Sequence, residues 1–131
     1  MPNPCCPPDH RDAIDERYGA AALEQEVCLC AAVPFDPALL AAIPKDVISR
    51  DYGCGDPTRW VRSGDRVLDL GSGSGKNAFI CSQLVGAEGS VLGLDRNPNM
   101  LELANSACGF VATQIGYGNV SFRRAEIDQL A

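Results

Sequence analysis

An acid followed by glycines at alternate positions, Asp69-Leu70-Gly71-Ser72-Gly73-Ser74-Gly75, is the stretch whose residue types and spacing carry chemistry. The acid closes the short apolar run Val67-Leu68, which reads as a buried parallel strand. Glycine admits positive φ and lets a ligand approach with no Cβ in the way. A strand ending in such a loop can hold a small molecule at the carboxyl edge of a sheet, beside a helix start. Downstream, Ser90-Val91-Leu92-Gly93-Leu94-Asp95 reads as a second strand that also ends in an acid. An acid there is placed to accept hydrogen bonds from ribose hydroxyls.

Competing glycine-loop chemistries separate on spacing. A phosphate-cradling P-loop needs a glycine where Leu70 stands and a Ser or Thr where Asn77 stands, although Gly75-Lys76 matches its end. A dinucleotide fingerprint starting at Gly71 would put its third glycine at Lys76. A glycine-rich turn with no ligand is the plain structural alternative. Seven cysteines, Cys5, Cys6, Cys28, Cys30, Cys54, Cys81 and Cys108, are the other chemical resource. Their odd number without an export signal argues against a disulfide framework. Cys81 and Cys108 fall among apolar neighbours on predicted helices and read as small core residues. Cys28, Cys30 and Cys54 lack the paired spacing of a zinc site. The one histidine, His10, lies in a loose N-terminus and is assigned no role.

The elements that must position these residues follow from periodicity and punctuation. Residues 1–10 are rich in Pro and Cys and read as disordered, and Asp12–Leu29 as a helix interrupted near Tyr18-Gly19. Pro37–Ala41 predicts a short helix, and Pro44–Arg50 another. Gly53–Pro57 is a turn, and Trp60 is expected to anchor this arm on the sheet. From Asp65 the pattern becomes strand Arg66–Leu70, helix Lys76–Val85, strand Val91–Asp95, helix Asn99–Thr113 and strand Val120–Arg123. Asn97 or Asn99 can cap the second of these helices. Right-handed crossovers make the sheet parallel, and by analogy with the doubly wound fold the strand order is expected to be 3-2-1, which leaves the first strand at an edge.

The acid-x-Gly-x-Gly-x-Gly loop followed by Asp95 resembles the first motif of class I S-adenosylmethionine-dependent methyltransferases. The upstream segment Ile43–Pro57, with Tyr52-Gly53-Cys54-Gly55, resembles the Tyr-Gly-Cys-Gly segment of arsenite methyltransferases, and the likeness runs over residues 28–131. The resemblance implies a Rossmann-like α/β fold, a three-layer parallel sheet of which strands 1–3 are present, with a helical N-terminal arm. About half of the usual sheet would be missing, so the chain reads as the N-terminal part of such an enzyme. It divides into residues 1–27, a partly disordered tail and helix; 28–64, the arm; and 65–131, a partial cofactor-binding domain.

By the same resemblance Tyr52 and Gly53 close over the methionine end of S-adenosylmethionine, and Asp69, Gly71, Ser72, Gly73 and Gly75 form the loop beneath it. Backbone amides would meet the ligand's carboxylate, and Asp69 its ammonium. Asp95 takes the ribose, Met100 packs on the adenosine side, and Ile127 and Asp128 meet the adenine, with Glu126 a near alternative. Cys54 and Cys30, or Cys28, correspond to thiolates that help bind trivalent arsenic, a soft centre that selects sulfur. No general base is evident, so the catalytic residues stay unassigned. The functional alternatives are a non-catalytic S-adenosylmethionine-binding protein and a nicotinamide-linked oxidoreductase.

Bulk properties bound these readings. A chain of 131 residues suits one small domain, and 46% apolar content is ordinary for a globular fold. Net charge is −6, with no basic stripe for a phosphate backbone, so a small-molecule substrate is expected rather than nucleic acid. No apolar run is long enough to span a bilayer, and Met1–Cys6 has neither a basic segment nor an apolar core. The expected location is the cytoplasm.

Overall fold

The computed structural model describes residues 35–51 and 55–130. Three strands, β1 (Arg66–Leu70), β2 (Ser90–Asp95) and β3 (Val120–Arg124), form a parallel sheet in the order β1-β2-β3. Val67 stands opposite Val91, and Gly93 opposite Phe122, so the strands step together toward one carboxyl edge. Among the described residues β1 pairs on one side only, as its place in the predicted order requires.

Helices fill the crossovers. The arm supplies α1 (Pro37–Leu40) and α2 (Lys45–Ser49), α3 (Lys76–Val85) joins β1 to β2, and α4 (Pro98–Ile115) joins β2 to β3. A single 3₁₀ turn, Ile127–Gln129, follows β3. Asn97 starts α4: its side chain accepts from the N–H groups of Asn99 and Met100, and Pro98 occupies the first turn, where its missing N–H costs nothing. Gly116, at φ +88°, ends the helix in the left-handed conformation that closes many helix C-termini.

The core lies where α3 and α4 cover the sheet. Phe79, Ile80 and Val85 of α3 meet Val91 of β2, Phe122 of β3 and Ala104, Ala107 and Val111 of α4, with Ile43 and Val47 of the arm in the same cluster. Phe79 and Phe122 pack edge to face at 5.3 Å between centroids, a favoured aromatic geometry. Cys81 is buried and Cys108 half-buried, both as free thiols, as their helical apolar setting predicts.

Trp60 corrects an expectation. It is 76% exposed and anchors nothing on the sheet. The turn that carries it points outward, and Val47 and Ile43, both buried, dock the arm instead. Two hydrogen bonds reinforce that docking, from Ser74 Oγ to the Val47 carbonyl (2.9 Å) and from Gln83 Nε2 to the Leu39 carbonyl (2.7 Å). No helix among the described residues is long and apolar enough to cross a membrane. The expected Asp12–Leu29 helix and the disordered start lie outside the described residues.

Candidate functional site

The glycine loop leaves β1 at Leu70 and enters α3 at Lys76. Gly71 and Gly73 turn it at φ +71° and +56°, and among the described residues a Cβ on either would meet nothing within 4 Å. Their open sides face space that a ligand can use. Gly75 serves packing instead: at φ +97° a Cβ would come within 2.7 Å of the Phe122 ring.

The loop's amides turn inward. The N–H groups of Gly71 and Ser72 both donate to the Leu94 carbonyl, at 2.8 and 2.9 Å, and that of Gly75 donates to the Ser72 carbonyl at 3.0 Å. The Gly73 N–H donates to Asp95 Oδ2 at 2.8 Å. An anion cradle needs bare amides at a helix N-terminus. Here those of Gly71, Ser72, Gly73 and Gly75 are already engaged within the fold. The physical reason is the tightness of the turn, which needs its own amides to stay folded against β2.

Asp69 and Asp95 stand at the carboxyl ends of β1 and β2, as predicted. Their environments differ. Both oxygens of Asp95 are used, Oδ2 by Gly73 and Oδ1 by the Asn97 N–H at 2.8 Å. A carboxylate oxygen has further lone pairs, so Asp95 keeps accepting capacity while holding the loop to α4. Asp69 Oδ2 is buried with no hydrogen-bond partner. Burial, then the charges of Asp51 and Asp95, push its carboxyl up to about 6. Ser72 Oγ is also buried without a partner. Among the described residues, Asp69 Oδ2 thus has no donor and no cation of its own.

Two side chains that the sequence brought up only against a P-loop, Lys76 and Asn77, shape this site. Lys76 Nζ lies 2.6 Å from Asp51 Oδ2, with both side chains 8% exposed, and stands 4.7 Å from the centre of the Phe35 ring. Asn77 Oδ1 is buried and unpartnered. A cavity of about 340 Å³ is lined by Asn77, Asp69, Cys81 and Gly55-Asp56-Pro57. Burial, followed by the charges of Asp69 and Asp56, holds the Cys81 thiol up at about 11, so it stays protonated. The signal that could have drawn attention to Lys76 is a cation at a helix start, where the dipole disfavours it.

The remaining expected contacts are distributed as follows. Met100 is 2% exposed, with its side chain inside the fold. It sits there because the first turn of α4 aims it inward beneath the Asn97 cap. Ile127, 51% exposed, and Asp128 stand on the 3₁₀ turn after β3, at the same carboxyl edge as Asp95. The Ala125 N–H donates to the Asp95 carbonyl at 3.0 Å, which holds that exit beside β2. Glu126 forms a 3.6 Å ion pair with Arg96. Tyr52, Gly53, Cys54, Cys28 and Cys30 lie outside the described residues; the chain enters the first of these directly from Asp51.

Comparison with known proteins agrees with this geometry. The family described as "Methyltransferase domain" matches residues 61–131. The arsenite methyltransferase of Aquipseudomonas alcaligenes is 45% identical over 93 residues, which are 71% of this chain and 27% of that protein. The arsenite methyltransferase of Mus musculus is 34% identical over 132 residues, covering 93% of this chain and 35% of that protein. The chain thus spans about a third or less of these relatives. The crystal structure of an arsenic (III) S-adenosylmethionine methyltransferase from Chlamydomonas reinhardtii superposes with a TM-score of 0.67 at 42% identity, over 75% of this chain and 34% of that one. Nothing among these matches supports the nicotinamide-linked alternative. With a parallel sheet, a glycine turn that shields its own amides, and an acid at the end of each of the first two strands, the chain belongs to the methyltransferase-domain family.

Proposed function

We propose that this chain binds S-adenosylmethionine over the glycine loop and forms the cofactor-binding part of a methyltransferase whose acceptor is trivalent arsenic. The observation that carries the reading is the unpartnered, buried Asp69 Oδ2 beside glycines whose amides are occupied. A pyrophosphate would find no free amides at those positions and a second negative charge nearby. A ligand bearing an ammonium and a sulfonium supplies the donor and the cation that Asp69 Oδ2 lacks among the described residues. When bound, that ligand supplies an electrophilic methyl group.

The residues of the chain divide the work. Asp69 takes the ammonium, Gly71 and Gly73 let the ligand lie close, and Ser72 offers a hydroxyl. Asp95 holds the loop and accepts from the ribose, while Ile127 and Asp128 border the adenine. Tyr52 and Gly53 cover the methionine end, so that residues 28–64 act as a flap on the unit formed by 65–131. Cys54 and Cys30, or Cys28, hold the arsenic as thiolates. Such catalysis depends chiefly on placement of the acceptor in line with the methyl group.

Calorimetry on the chain tests the first part: heat with S-adenosylmethionine and none with NAD is expected, and the reverse would overturn the reading. Incubation with arsenite and the labelled cofactor tests the second. The second reading is binding without transfer. Burial pushes up the thiols of Cys81 and Cys108, the two described cysteines, so transfer to arsenic would rest on Cys54 and Cys30 or Cys28. Cofactor heat with no methylated arsenic would establish that second reading.

A further inference from the structure

Lys76 opens α3 against the rules of helix electrostatics. A cation at a helix N-terminus opposes the macrodipole, and the first turn of α3 carries no acid to offset it. The ammonium is nevertheless buried, 2.6 Å from Asp51 Oδ2 and over the face of Phe35. Taking such a pair out of water is expensive, and apolar residues in its place often stabilise a fold as well or better. Stability alone therefore does not account for it.

Its location does. Asp51 is the last described residue before Tyr52-Gly53-Cys54, and Lys76 immediately follows Gly75 of the ligand loop. The pair joins the segment that leads out of α2 to the start of α3, so it links the arm to the loop. The neutral bonds from Ser74 to Val47 and from Gln83 to Leu39 dock the arm farther from Tyr52 along the chain.

The pair also governs charge. The groups around Asp69 are Asp51 after α2, Asp95 at the end of β2, Cys81 on α3 and, across the cavity, Asp56. Lys76 reaches Asp69 through Asp51, whose negative charge it balances.

We propose that the Lys76–Asp51 ion pair is the positioning device of this site, pinning the segment that enters Tyr52-Gly53-Cys54 to the ligand loop and balancing the carboxylate that crowds Asp69. Both residues act through others and touch no reacting atom. The proposal rests on the S-adenosylmethionine reading for its functional meaning, but its electrostatic half can be read without ligand.

The experiment uses the 131-residue chain with Asp51→Asn, Lys76→Met and Lys76→Arg. Carbon-13 NMR follows the Asp69 carboxyl against pH in the ligand-free proteins, and calorimetry follows S-adenosylmethionine affinity over the same range. Asp51→Asn removes a neighbouring anion and should lower the Asp69 midpoint; Lys76→Met frees that anion and should raise it, each by on the order of one pH unit. Lys76→Met should weaken binding about tenfold at pH 7, and Lys76→Arg should restore most of it. Opposite shifts are not expected of residues that merely stabilise the fold. Should Lys76→Met fail to fold by circular dichroism, the near-isosteric Asp51→Asn still decides. Midpoints that stay put, or move the same way, would overturn the proposal even if the cofactor binds. Opposite shifts in a protein that binds no S-adenosylmethionine would keep the electrostatic pairing and sink the cofactor reading instead.

Discussion

Asp69 shows how a residue proposed to bind a ligand can burden the fold that carries it. Its carboxyl is raised to about 6 by burial and by two neighbouring acids, whereas an unfolded aspartate titrates near its ordinary value of 3.8. The folded state therefore disfavours the ionised form. This penalty is absent below pH 3.8, grows as pH rises toward 6, and is complete above it. Asp69→Asn should stabilise the ligand-free chain at pH 8 by on the order of 3 kcal/mol, and the gain should fade at pH 4. The same change should abolish binding of a cationic ligand. Chemical denaturation at the two pH values, with a binding titration alongside, checks both halves. A loss of stability at pH 8 would show that Asp69 is held by partners the structure does not contain. The acid itself was legible from its place before three alternate glycines; its charge state was not, because Asp51 and Asp95 reach it only through folding.

At the scale of elements, α3 is closed by a residue far away in sequence. Asn119, just before β3, donates from Nδ2 to the Ser82 carbonyl at 3.1 Å and to the Gly86 carbonyl at 2.8 Å, and its Oδ1 accepts from Ser82 Oγ. Tyr117 Oη adds a donation to the Ser82 carbonyl at 3.3 Å. Carbonyls at a helix C-terminus have no partner within the helix, and this contact satisfies them while fixing where β3 begins. Ser82 is fully buried, so Asn119→Ala leaves a hydroxyl and carbonyls short of partners there. A loss of about 2 to 3 kcal/mol is expected, measured by urea denaturation. Asn97→Ala, at the start of α4, should cost about 1 kcal/mol through the loss of its cap bonds to Asn99 and Met100. The second cap was readable from Asn97-Pro98. The first was not: Tyr117-Gly118-Asn119 reads as a turn, and nothing local says that it caps a helix 30-odd residues earlier.

The whole molecule is uneven. One face of the sheet carries the core, while Leu68 and Leu70 on β1 are 53% and 47% exposed. A parallel sheet is ordinarily covered on both faces, and an open strand edge invites pairing. Concentration-dependent self-association of the 131-residue chain is the expected result, and Leu68→Lys should reduce it in sedimentation velocity runs. Unchanged sedimentation would mean that this face is already covered within the chain. The arm belongs at this scale too. Proline punctuation and short apolar runs announced α1 and α2. Trp60 stood out as an anchor by size alone, yet it faces outward while Val47 and Ile43 hold the arm.

Local order along the chain was enough to determine the alternation of strands and helices, the parallel direction of the strands and the loop between Asp69 and Lys76. Those features follow from residue periodicity, glycine φ and the handedness of crossovers, all of which act over short distances. Tertiary structure alone decided that the loop's amides face inward, that Lys76 pairs with Asp51, and that Met100 lies inside. Each of these depends on which groups from distant segments meet in a low-dielectric interior, where a polar group must find a partner or shift its charge.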